Sequence, residues 1–238
     1  MTDNNDRPVS SPDTHAHIRS FVRRAGRLTP GQRRAIETHW TKFGVEPGTA
    51  VDLPALFGRP APVTLEIGFG AGENLLNAAR QAPECNFLGI EVHAPGVGQV
   101  LAGAAREGLT NIRLFREDAI QVLTESIHNA ALAEAWIFFP DPWPKKRHHK
   151  RRLINAPFVQ LIANKLTPGG CLRLATDWEE YAHHMVDMLE QSPQLRNEIG
   201  ARMFSDRFAG RVETRFATRG ARLGHGVWDM AYRKSKPE

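Results

Sequence analysis

The stretch Val63-Thr-Leu-Glu-Ile-Gly-Phe-Gly-Ala-Gly72 decides the fold. A short apolar strand, Val63 to Ile67, runs into three glycines at alternating positions. An Ala/Leu-rich segment then reads as a helix to about Ala82. Glycines between a first strand and a first helix let the backbone approach a ligand closely. The dinucleotide fingerprint Gly-x-Gly-x-x-Gly is not met, because the last spacing is one residue too short. Glu66 also precedes the first glycine, where it would repel a pyrophosphate. A nicotinamide-binding dehydrogenase is disfavoured on both grounds.

Working outward, the β-α pattern repeats. Strands are expected at 86–91, 112–115, 135–139 and 171–176. Helices are expected at 94–106, from 119, at 158–166 and at 178–189, with a turn at Thr167-Pro-Gly-Gly170. Residues 226–234 read as a closing strand. This alternation predicts an α/β fold with a doubly wound, mostly parallel sheet. Upstream, Thr29-Pro30 opens a helix that ends near Gly44, with a hydroxyl at the cap and Pro at the first helical position. We divide the chain into a disordered tail (1–15), a helical extension and linker (16–62) and the main domain (63–238).

Only two cysteines occur, Cys85 and Cys171, without pairing or metal spacing. They are read as reduced, buried thiols in a cytoplasmic protein. The first residues lack the apolar core of a signal peptide, and no apolar run approaches membrane-spanning length. The formal charge of +5 is modest, but its distribution is not even. Six of the eight residues from Lys145 to Arg152 are Lys or Arg, and the other two are His148 and His149. Adjacent histidines point apart and have no partners at ligand spacing, so no metal site is expected.

Acids fall at successive strand ends. Glu66 lies beside Gly68, Glu91 ends the second strand, and Asp118 follows the third. One acid would be an incidental surface charge, but three at adjacent strand ends mark a ligand crevice. A ligand with an ammonium, a sulfonium and a ribose but no phosphate suits them, which points to S-adenosylmethionine. Glu91 is placed for the ribose hydroxyls and Asp118 for the adenine amino group. Asp141, framed by Pro140 and Pro142, occupies the fourth strand end. Its segment is similar to the Asp-Pro-Pro-Trp loops of enzymes that methylate exocyclic amino groups, but a single Pro separates Asp141 from Trp143. A turn would explain the prolines alone. The polycation that starts four residues later favours a nucleic-acid site, with Asp141 orienting and stabilising charge rather than abstracting a proton. Asp177 closes the fifth strand, where it either caps the next helix or faces substrate.

In combination, Glu66-Ile-Gly-Phe-Gly-Ala-Gly72, Gly89-Ile-Glu-Val-His93 with Pro95-Gly-Val-Gly98, and Phe139-Pro-Asp-Pro-Trp-Pro-Lys145 resemble the bacterial tRNA (guanine-N7)-methyltransferase family. Lys150-Arg-Arg152, Ala175-Thr-Asp-Trp178 and Arg222-Leu-Gly-His-Gly-Val-Trp228 strengthen that resemblance. It implies a Rossmann-like class I methyltransferase that moves a methyl group from S-adenosylmethionine to N7 of guanine 46 in the tRNA variable loop. By motif match, Glu66, Gly68, Glu91, Asp118 and Asp141 hold the cofactor, with Asp141 also the catalytic residue. Lys145, Asp177, Thr214, Arg215 and Phe216 meet the substrate. Arg147, His148, His149, Lys150, Arg151 and Arg152 contact RNA. The family usually has Glu where this chain has Ala217; Glu213 stands nearby. A soluble monomer with tRNA as its partner is expected. Two other readings stay open: an amino-group methyltransferase acting on DNA or another RNA, and a non-catalytic RNA-binding module.

Overall fold

The computed structural model describes residues 27–212 and 226–236. Seven strands form one sheet: β1 (Val63–Ile67), β2 (Asn86–Ile90), β3 (Ile112–Phe115), β4 (Leu132–Phe138), β5 (Leu166–Thr176), β6 (Leu195–Asn197) and β7 (Trp228–Lys234). Their order is β3-β2-β1-β4-β5-β7-β6. The first five are parallel, with Thr64 beside Phe87 and Glu134, and β7 runs antiparallel to both β5 and β6. The order reverses between β1 and β4, and a crevice at the carboxyl ends of parallel strands opens at such a switch point.

The helices are α1 (Pro30–Phe43), α2 (Leu53–Phe57), α3 (Glu73–Gln81), α4 (Ala94–Arg106), α5 (Ala119–Glu125), α6 (Ala156–Lys165) and α7 (Glu179–Glu190). Strand side chains alternate between faces, so the core has two layers. Leu65 and Ile137 pack with Val122, Phe158 and Tyr181 on one face. Phe87 and Trp136 pack with Leu75, Val97 and Phe43 on the other. No described helix is long and apolar enough to cross a membrane.

Helix α1 begins with a full capping box: Gln32 N donates to Thr29 Oγ1, and Thr29 N donates to Gln32 Oε1. It packs on α4 so closely that a Cβ on Gly98 would lie 2.7 Å from the Gln32 carbonyl oxygen. Beyond it, Gly44 bridges Leu114, and Val45 N donates to Leu114 O at 2.9 Å. The 16–62 segment thus contributes buried Phe43 to the core. It also holds α2, which the sequence reading left as linker, although Asp52 caps it and a Pro opens it.

Another difference concerns Thr167-Pro-Gly-Gly170. These residues do not end a helix with a free turn; they lie inside β5. Leu132 pairs with Leu166 and Glu134 with Cys171, so residues 167 to 170 stand opposite Ala133 alone. Gly169, at φ +78°, takes the left-handed backbone that this bulge needs.

Candidate active site

At the switch point the carboxyl ends of β1, β2 and β4 frame a cavity. Ile67, Gly68, Glu91, Glu117, Phe139 and Asp141 are among its lining residues. Gly68 and Gly70 have φ of +73° and +55°, and space is open where a Cβ would project from either. The loop is held from β2: Gly70 N donates to Glu91 Oε2 at 2.9 Å, while Val92 N and His93 N donate to Oε1 at 2.7 and 2.9 Å. Glu91 therefore fixes the loop as well as facing the cavity.

Glu66 lies below the loop on the face of β1 that turns toward α3. It is 2% exposed. Asn74 Nδ2 is 3.4 Å from its Oε1, and its Oε2 is buried with no hydrogen-bond partner among the described residues. Burial pushes its pKa up from 4.5 to about 8, Asn74 offsets part of that, and the charge on Glu91 adds to it. A buried carboxylate oxygen without a donor is costly, and a bound ammonium would supply one. Together, the orphaned oxygen, the open glycine loop and Glu91 beside it fit a ligand with a cationic amino-acid end.

Asp118 behaves differently from its neighbours. Its Oδ1 accepts from Ile120 N at 2.8 Å and Gln121 N at 3.3 Å, capping α5. Glu117, one residue earlier, lines the cavity and accepts from Asp118 N at 2.9 Å. The sequence reading passed over Glu117, although an acid pair at a strand end was visible there.

Asp141 is exposed at the cavity rim. Its segment is bracketed by Phe139 (φ +53°) and Trp143 (φ +45°), a backbone conformation rare for bulky residues. A 3₁₀ turn, Lys146–Arg151, follows at once. Lys145, Lys146, Arg147 and Lys150 are exposed on it, and His148, His149 and Arg151 are half-buried. Arg151 lies over the Trp143 ring at 4.9 Å, and His148 meets it edge-on. The His148 pKa is lowered, by desolvation first and then by Arg147 and its other cationic neighbours.

Arg152 stands apart from the rest of the basic run. It is 1% exposed, and its guanidinium is committed to Glu180 and the Pro142 carbonyl. Asp177 is half-buried at the end of β5. It does not supply the cap considered for it: α7 opens at Trp178 without a side-chain cap, and Thr176 Oγ1 takes Trp178 N instead. Thr214, Arg215 and Phe216, with Glu213 and Ala217, lie outside the described residues. Their approach on one side is described: Val212 N donates to Asn74 Oδ1 at 2.8 Å, and Arg211 forms a buried ion pair with Asp229 of β7 at 2.6 Å. Neither Asn74 nor this pair was singled out from sequence.

The sheet order and this crevice define the class I methyltransferase fold. A solved 16S rRNA methyltransferase, KamB, superposes with a TM-score of 0.56 over 80% of this chain and all of that one, at 15% identity. A 16S rRNA (adenine(1408)-N(1))-methyltransferase from Catenulisporales acidiphilia, solved with its cosubstrate SAM, gives 0.52 over 82% of this chain and 97% of its own, at 17% identity. The family described as "Putative methyltransferase" matches residues 60–230. At higher similarity stand proteins named tRNA (guanine-N(7)-)-methyltransferase. That of Alkalilimnicola ehrlichii is 54% identical over 91% of this chain and 92% of its own. Those of Methylococcus capsulatus and Escherichia coli K12 are 48% and 49% identical, over 95% and 98% of this chain and 98% and 96% of their own. The chain belongs to the tRNA (guanine-N7)-methyltransferase family.

Proposed function

We propose that this protein methylates N7 of guanine 46 in the variable loop of tRNA, using S-adenosylmethionine. The observation that carries the reading is the placement of Asp141 at the rim of the strand-end cavity, with a basic run, largely exposed, starting four residues later at Lys145. Family membership supports the substrate class.

When bound, S-adenosylmethionine supplies a sulfonium-activated methyl group to a nucleophile in line with it. Glu66, Gly68, Glu91, Asp118 and Asp141 are the residues proposed to hold it. Glu66 offers its unpartnered oxygen to the ammonium end, and the glycine loop admits close backbone approach. Guanine N7 carries an in-plane lone pair and loses no proton, so no strong general base is required. The protein's work is to orient the base and stabilise the positive charge that develops on it. Asp141 is proposed to supply a carboxylate for that, and Lys145 and Asp177 are proposed to meet the substrate. The exposed cations of 145–151 track phosphates. Thr214, Arg215 and Phe216 are proposed as further substrate contacts on the motif match alone. The protein is proposed to act as a cytoplasmic monomer.

The test is transfer of labelled methyl from S-adenosylmethionine to unmodified tRNA, with aniline cleavage to locate any N7 product. Cleavage at one variable-loop guanine is expected. Methyl incorporation without cleavage would redirect the chemistry to an exocyclic amino group.

A further inference from the structure

Arg152 is the one cation of the 145–152 run that is buried, and its side chain joins three elements. Nε donates to the Pro142 carbonyl at 3.0 Å. Nη1 donates to Glu180 Oε1 at 3.0 Å, and Nη2 donates to Oε2 of the same carboxylate. Nη2 also lies 3.2 Å from His149 Nε2, and the guanidinium stacks over Tyr181 at 4.8 Å. Its own backbone is fixed too. Arg152 N closes the 3₁₀ turn on His149 O at 2.9 Å, and its carbonyl takes Asn155 Nδ2 at 3.0 Å. All three guanidinium nitrogens are engaged within the fold, one ring face covers the group, and the residue is 1% exposed.

The segment it grips has unusual needs. Pro140, Pro142 and Pro144 have no N–H to donate, so the backbone around Asp141 has fewer groups through which it can be anchored. Left-handed Phe139 and Trp143 persist only if the surroundings hold them. Phe139 N is tied to Ala175 O at 2.8 Å on the β5 side. Arg152 supplies a tie on the other side, at the residue directly after Asp141.

We propose that Arg152 is a positioning residue that fixes Asp141 through the Pro142 carbonyl, braced by Glu180, and is not a contact to RNA phosphate. The role of Asp141 in methyl transfer rests on the function proposed above; the anchoring does not. Tyr181, under the guanidinium, also senses Asp141: its hydroxyl is pushed up by burial first, with the Asp141 carboxylate contributing.

Two substitutions test this, Arg152→Lys and Glu180→Gln. A lysine keeps the charge but cannot make the fork. Glu180→Gln leaves Arg152 intact and removes its brace. Both are expected to lower kcat by about 10-fold or more, without changing the tRNA Kd or its salt slope. Backbone hydrogen exchange in the peptide covering 139–152 is expected to quicken in both. A phosphate contact predicts the opposite: wild-type kcat in both, and in Arg152→Gln a weaker Kd with a salt slope smaller by roughly one. Either that pattern or unchanged exchange protection overturns the proposal. If Arg152→Lys does not fold, Glu180→Gln decides alone, since that carboxylate is more than half exposed. Should the wild-type protein methylate no tRNA, the proposed function fails, and the exchange experiment still decides the anchoring.

Discussion

Replacing Glu66 with Gln should make the ligand-free protein less sensitive to alkaline pH, by an amount the structure sets. The carboxyl is buried beneath the glycine loop, and one oxygen has no partner among the described residues. In the native state its pKa rises from 4.5 to about 8, mainly through burial. Between those values the folded protein keeps a proton that the unfolded chain has released. Stability therefore falls as pH rises through this window, and the full cost is present above the folded pKa. Gln has nearly the same shape and does not titrate. Raising the pH from about 5 to about 8 should cost the wild type about 3 kcal/mol relative to Glu66→Gln.

For a chain of this size each kcal/mol moves Tm by roughly 2–4 °C, so the two melting curves should separate by roughly 6–12 °C across that range. Every other titrating group is common to both proteins and cancels in the difference. Denaturation of the ligand-free proteins at several pH values measures it directly. Parallel Tm–pH curves would refute the reasoning, because they would mean that Glu66 is ionised in the free protein. S-adenosylmethionine should reverse the ranking. The proposed ammonium contact favours the charged carboxylate, so binding near neutral pH should release a proton from the wild type and none from the variant. Calorimetry in buffers of different ionisation enthalpy reads that release.

Asp141→Asn should reduce kcat by about 100-fold or more with little change in tRNA affinity; a wild-type turnover number would remove Asp141 from the chemistry. Neutralising Lys146, Arg147 and Lys150 together should weaken tRNA binding and lower its salt slope by roughly two to three, read from affinities measured over a range of salt concentrations. Asp229→Ala leaves Arg211 buried without its partner and should destabilise the fold by about 3 kcal/mol in chemical denaturation. Cys171, whose thiol burial pushes up to about 12, should resist thiol reagents near neutral pH until the protein unfolds.

The sequence was most legible where one local rule was sufficient. Thr29-Pro30 marked the start of α1 where the structure places it, and the predicted helix end near Gly44 stands within a residue of the last turn. The first three strands lie where alternation and apolar runs place them, because parallel strands covered on both faces must be apolar almost throughout. Glu66, Glu91 and Asp141 were visible as strand-end acids for the same reason: in an apolar strand an acid has no structural excuse. Short elements were harder. β6 has three residues and, among the described residues, pairs with β7 alone, so no period can form.

What the sequence hid are contacts between residues far apart in the chain. Lys150, Arg151 and Arg152 are adjacent cations with nothing local to separate them. Only the packing of α7 against the Asp141 segment brings Glu180 and the Tyr181 ring to Arg152 and leaves Lys150 in solvent. Asn74 follows the same logic. On sequence it is a polar residue in the first turn of a helix, yet its amide meets Glu66 on one side and its carbonyl takes Val212 N on the other. Such residues shape the site without touching the cavity, and their chemistry is assigned by the fold rather than by residue type. A charge run should therefore be divided by burial before it is read as a binding surface. By that criterion the proposed phosphate-facing surface ends at Arg151, and Arg152 is grouped by its contacts with Pro142 and Glu180.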